Sequence, residues 1–174
     1  MAKKDYTATR EDYMTPAAIY EPILKMLKLD TFSMDVCCSE ANIPAIKHIF
    51  NGVYDGLEEK WAGYCFLNPP FKQTQKWVRK ALLSVNGRTC VIAVLPADRL
   101  ETKYYQECIL KNRRCMFAFL PGKVGFINPD NPNEAPIPSQ KIMIVIFDLF
   151  PEAAARRWNQ EKLFNTVAFV GGEY

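Results

Sequence analysis

The sequence predicts an α/β protein built on a mostly parallel sheet, with helices on both faces and an antiparallel end. Three observations predict it. Strand-like and helix-like stretches alternate through most of the chain. The runs 64–67, 89–95 and 141–148 are almost wholly apolar, as strands covered on both faces are. The stretches near 115–126 and 141–148 follow one another with no helix between them, so they should pair antiparallel.

Residues 1–14 are polar, with 1–11 expected to be flexible. Thr15 followed by Pro16 is a helix-start signal, with Thr15 as cap and Pro16 at the first helical position. Ile19, Ile23, Leu24 and Leu27 then recur at helical spacing, which predicts a helix over 16–28. Residues 31–37 read as the first strand, with Asp35 near its carboxyl end. Asp35 either caps the next helix or faces a ligand's ammonium or hydroxyl groups. Ile43, Ile46 and Ile49 predict a short helix over 40–50, with His48 on its surface. Asn51-Gly52 marks a turn, and 53–57 resembles a short strand ending in an acidic turn.

The aromatic and apolar run 64–67 stops at Asn68-Pro69-Pro70-Phe71. A residue before proline is pushed out of the α region, so Asn68 is held extended at the strand's end. In open α/β sheets, ligands bind at the carboxyl ends of strands. The Asn68 side-chain carbonyl and a neighbouring peptide carbonyl can both accept from a planar NH2 group, and the Phe71 ring offers a stacking face. These residues suit an exocyclic amine on a heteroaromatic ring; the plain alternative is a strand followed by a polyproline turn.

Thr74 is placed to cap a helix over 74–85 whose apolar face holds Trp77, Val78, Ala81, Leu82 and Val85. Lys72, Lys76, Arg79 and Lys80 gather near its start. Cations there oppose the helix dipole, so they serve either a phosphate backbone or simply a solvated face. Residues 89–95 form the clearest strand, and a loop with Asp98, Arg99 and Glu101 leads to a helix over 102–112. Strand 115–120 follows, then a hairpin-like turn over 121–126. Residues 128–138 carry four of the 12 prolines and no periodicity. Long loops of this kind are usually functional. Strand 141–148, a helix from Pro151 to about 162 and an edge strand within 165–170 complete the chain.

Composition narrows the classes. At 174 residues, with 49% hydrophobic and 13% aromatic content, the chain is one domain with a real core. A net charge of +3 permits nucleic acid without requiring it. Six cysteines without a C-x-x-C pair, and one histidine, argue against a metal site. The polar start fits no signal peptide, and no apolar run is long enough for a membrane span. The expectation is a soluble protein of the cytoplasm with reduced thiols.

Thr15-Pro16, the Asp35 strand end, Asp55-Gly56-Leu57, Trp61 and Asn68-Pro69-Pro70-Phe71 occur in that order. Leu95-Pro96-Ala97, Glu101-Thr102, 122–126 and Pro138-Ser139 follow. With these the chain resembles the small, phage-type DNA N6-adenine methyltransferases over about 12–147. The resemblance implies a Rossmann-like, S-adenosylmethionine-dependent methyltransferase fold. It implies catalytic roles for Asn68, Pro69, Pro70 and Phe71. It implies cofactor contacts from Thr15, Pro16, Asp35, Cys37, Asn42, Asp55, Gly56 and Leu57. It implies double-stranded DNA as partner, met by Lys72, Lys76, Lys80, Arg99, Lys123 and Ser139, and protection of phage or mobile-element DNA from host nucleases in the bacterial cytoplasm.

The chain departs from the wider methyltransferase pattern in four ways. Val36-Cys37-Cys38-Ser39 stands where a glycine-rich turn is common, and Phe71 where Tyr is commoner. The short interval from Asp35 to Asn68 implies a missing strand–helix unit. No separate target-recognition domain is visible, so loops 72–76, 97–103 and 121–139 must read the DNA. Two other readings are a catalytically weak binding module engaging a host protein or DNA, and methylation of RNA or protein glutamine.

Overall fold

The computed structural model describes residues 12–136 and 138–172; the expectation for 1–11 lies outside them. A seven-stranded sheet carries the structure. Its strands are β1 (Phe32–Cys38), β2 (Ala45–Phe50), β3 (Gly63–Leu67), β4 (Thr89–Pro96), β5 (Cys115–Phe119), β6 (Ile142–Phe147) and β7 (Ala168–Val170). They lie in the order β2-β1-β3-β4-β6-β5-β7. β2, β1, β3 and β4 are mutually parallel, while β6 runs antiparallel between β4 and β5, and β7 antiparallel beside β5. The parallel half and the antiparallel end both match the pattern of apolar runs.

Alternation along the central strands sends side chains to two cores. Val91, Ala93 and Leu95 of β4, with Met143, Val145 and Phe147 of β6, face α2 (Thr74–Ser84) and α3 (Lys103–Tyr105). Cys90, Ile92 and Val94, with Ile142, Ile144 and Ile146, face α1 (Ala17–Leu27) and α4 (Pro151–Gln160). Period-two alternation under two helical layers is what makes these strands read as unbroken apolar runs.

Several local expectations are corrected. Residues 40–50 are not a helix. After β1 the chain returns through 39–44 and forms β2, parallel to β1, with Phe32 opposite Ala45. The isoleucine spacing imitated a helix, but Pro44 lacks the N–H a helix interior needs and pushes Ile43 into an extended backbone. Ile43 and Ile49 are buried, whereas Ile46 is 79% exposed. Residues 53–57 are turns, not a strand. Val53 and Tyr54 both donate to the Phe50 carbonyl and stand exposed, so no core face draws them into a sheet.

Helix starts also differ. Thr15 does not cap α1; Pro16 occupies the cap position without a side-chain bond, and Thr15 is buried. Thr74 lies inside α2, its hydroxyl donating back to the Phe71 carbonyl at 2.9 Å. The predicted helix 102–112 is short: α3 passes directly into a π-helical turn, Gln106–Leu110.

At the antiparallel end, Trp158 of α4 is fully buried and donates from Nε1 to Thr166 Oγ1 at 3.1 Å. Its ring packs 5.5 Å from Phe164, one of three residues in 162–165 held at positive φ. Trp158→Ala should therefore destabilise the protein by about 3–5 kcal/mol. Urea unfolding should show a lower midpoint at unchanged slope.

Candidate active site

Because β1, β3 and β4 are parallel neighbours, their carboxyl ends share one edge of the sheet. β3 delivers Asn68 to that edge. Pro69 is buried, and Pro70 takes φ −55° and ψ 121° and so turns the chain outward. A 3-10 turn, Phe71–Gln73, follows and leads into α2. The Phe71 ring meets Phe126 edge-on at 6.3 Å between centroids. Phe126 lies in the segment 121–140, which closes on itself through Val124 and Gln140. Ala97, just past β4, donates to the Lys141 carbonyl at 2.8 Å and ties this segment to the strand ends.

Two cavities open here. The larger is a cleft of about 590 Å³, a volume typical of ligand sites. Asn68, Pro69, Phe71, Lys72, Arg99, Phe126 and Ser139 line it, together with Asp98, Asn131 and Glu134. The smaller, about 20 Å³, has room for little more than one water. Thr15, Asp35, Cys37, Ser39, Asn42 and Asn51 line it. Tyr13 and Asn68 line both.

Asp35 dominates the electrostatics of the small cavity. It is 2% exposed, and burial raises its carboxyl to about 7, against the Cys37 backbone N–H and the charge of His48, which lower it. Burial likewise pushes the Cys37 thiol up to about 12, moderated by the Asn51 side chain and reinforced by Asp35. Cys37 is therefore a packed thiol rather than a nucleophile. Asn42 donates to the Thr15 carbonyl at 2.8 Å, and Ser39 to the Asp12 carbonyl at 2.7 Å.

The sequence-predicted site residues divide. Asn68, Pro69, Phe71, Lys72, Arg99 and Ser139 come together in the cleft, and Thr15, Asp35, Cys37 and Asn42 in the small cavity. Pro16 and Pro70 shape the adjoining backbone but line neither cavity. Asp55 is exposed, and its carboxylate accepts from the Leu57 N–H at 2.9 Å; neither lines a cavity. Gly56 lies against the end of β1, where a Cβ would meet the Val36 carbonyl and the Trp77 ring. Trp61 holds it there, donating from Nε1 to the Gly56 carbonyl at 2.8 Å. Lys76 and Lys123 are exposed beyond the cleft lining. The Lys80 ammonium sits 5.8 Å over the Trp61 ring, so it packs on that indole rather than lining the cleft.

Sequence reasoning missed Tyr13, assigned to a polar start, and Phe126, assigned to a turn. No local periodicity marks either. Both are placed by pairing distant in sequence: Met14 and Ile127 exchange two backbone bonds of 2.9 Å. Among the described residues, no group of three or more His, Cys, Asp or Glu side chains is placed to hold a metal ion. No helix among them is long and apolar enough to cross a membrane.

This mixed sheet, with its cleft at the ends of the parallel strands, is consistent with a methyltransferase-like fold. The chain belongs to the DNA N-6-adenine-methyltransferase (Dam) family, whose model matches residues 3–166. It is similar to the DNA N-6-adenine-methyltransferase of Haemophilus phage HP1 (strain HP1c1), with 27% identity over 119 residues. That match covers 67% of this chain and 67% of the phage protein. No solved structure matches. At the level of the family, the chain is an enzyme that methylates adenine in DNA.

Proposed function

We propose that the chain is an S-adenosylmethionine-dependent enzyme of Rossmann-like fold that methylates the N6 amine of an adenine extruded from double-stranded DNA. The observation that carries this reading is the position of Asn68, which lines both the 590 Å³ cleft and the small cavity around Asp35. A residue at that junction can hold an amine where a methyl donor on the other side reaches it.

The residues present fit the cofactor. Asp35 is a buried carboxyl whose ionisation an ammonium would favour, and Thr15, Ser39, Asn42 and Asn51 supply polar atoms around it. Gly56 brings a turn against β1, where a Cβ would meet the Val36 carbonyl. S-adenosylmethionine, when bound, supplies an electrophilic methyl group. The chain's own task is positioning. The Asn68 side-chain carbonyl and the Pro69 carbonyl accept from the adenine NH2, which turns its nitrogen lone pair towards the small cavity. Phe71 stacks on the base, and the amine's excess proton leaves to water. No strong base is required. Such an enzyme, encoded by a phage or mobile element and acting in a bacterial cytoplasm, would shield DNA from restriction.

One observation favours the second reading, a weak or inactive module that engages DNA or a host protein: the 20 Å³ cavity must widen before a cofactor enters. Offering tritiated methyl donor with DNA, RNA and protein together tests the proposal. Label in adenine of duplex DNA is the expected outcome; label confined to RNA or protein, or none, would remove it.

The cation placement makes a further expectation specific. Lys72→Gln, in the cleft, should weaken duplex affinity and reduce the salt slope by about one unit. Lys80→Gln, over Trp61, should leave that slope unchanged. Titrating DNA at several salt concentrations compares the two.

A further inference from the structure

We propose that Tyr13 is a wall shared by the two cavities, in contact with the extruded base on one side and the methyl donor on the other. The proposal rests on the methyl-transfer reading above. Among the described residues, Tyr13 and Asn68 are the two that line both cavities. Phe71 lines the cleft alone and Asp35 the small cavity alone. A flat aromatic ring offers a face to each of two neighbours, which a branched side chain cannot do.

The backbone around Tyr13 is fastened from both directions. On the small-cavity side, Ser39 donates to the Asp12 carbonyl and Asn42 to the Thr15 carbonyl, at 2.7 and 2.8 Å. Met14, which itself lines the small cavity, exchanges two bonds of 2.9 Å with Ile127, which joins this segment to the one carrying the cleft residue Phe126. Tyr13 itself is half-buried and packs on the core that α1 and α4 share. A wall pinned on both sides stays in place while either cavity fills. Its removal must then be felt by both ligands, whereas removal of a one-sided residue is felt by one.

The test measures the two binding steps separately. Calorimetry with S-adenosylhomocysteine reports the cofactor side. Fluorescence of a duplex with 2-aminopurine in place of the adenine that the wild type methylates reports base capture. Tyr13→Leu, which keeps an apolar group but no ring, should weaken both by about tenfold, the scale of one lost base–ring stack. Tyr13→Phe should restore both. Phe71→Ala should affect base capture alone, and Asp35→Asn cofactor binding alone. If folded Tyr13→Leu loses only one step, or neither, the shared wall is refuted; so it is if Tyr13→Phe fails to restore them. The underlying reading is judged separately by whether the wild type labels DNA adenine at all.

Discussion

Asn68→Ala should slow single-turnover methylation of adenine-containing duplex by about 10²–10³-fold, the scale of losing one oriented polar group at a reacting centre. Cofactor affinity should change far less, because the alanine removes an acceptor for the substrate amine and leaves Asp35, Thr15 and Asn42 in place. The backbone should not move. Pro69 and Pro70 fix the turn through their rings, and Thr74 still anchors the Phe71 carbonyl. Wild-type rates in the variant would show that the amine is held elsewhere. A matching loss of cofactor affinity would show that Asn68 belongs mainly to the small cavity.

Asp35→Asn should lower affinity for the cofactor by about 10²-fold, as when one partner of a buried charged pair is removed. Asparagine keeps an acceptor for the Cys37 N–H but cannot carry the charge that an ammonium needs. Stability should move the other way. The carboxyl rises from an ordinary 3.8 to about 7 on folding, so the folded chain holds its proton longer than the unfolded one. Its stabilising effect is complete below about pH 4 and is lost as pH climbs to about 7. The variant should therefore melt higher than wild type at pH 8 and about equally at pH 4. Wild-type cofactor affinity should rise up to about pH 7 and then level off, as the carboxylate forms. Calorimetry across pH and thermal melts at the two pH values check both halves.

How legible these features were depends on how local their causes are. β4 and β6 were readable because burial on both faces leaves an unbroken apolar run. The Asn68 turn was readable because proline constrains its own backbone and its neighbour's. β2 was not, because Ile43, Ile46 and Ile49 happen to repeat at helical spacing while serving three different environments: a connection, open solvent and the core. Pro44 was the signal that outweighed them. Lys80 parts from the cleft for a related reason. Spacing of four puts Lys72, Lys76 and Lys80 in a row, yet says nothing about how far along the helix the cleft reaches; Trp61 claims the last of them. Tyr13 could not be found from its neighbours, since its place depends on Ile127. The loops carrying Asp98 and Glu134 were legible as loops, but that both carboxylates line one cleft depends on how the two loops meet.

The connection from β1 to β2 has a consequence for how this chain can change length. Parallel neighbours are usually joined by a dozen or more residues with a helix among them. Here 39–44 alone must return the length of β1, about 20 Å at 3.3 Å per residue, which is close to the reach of an extended chain. Both ends are pinned, by the Asn51 N–H on the Cys38 carbonyl and the Phe32 N–H on the Pro44 carbonyl. Loops ordinarily absorb insertions at little cost. This one has little slack, so a deletion costs more here than in an ordinary loop. A residue added before Asn42 would carry its amide off the Thr15 carbonyl, and one removed would pull β2 out of register. The segment that spares the chain a helix is thereby the one least free to drift, and Ser39 and Asn42 are held to the site by the same economy that shortens the sequence.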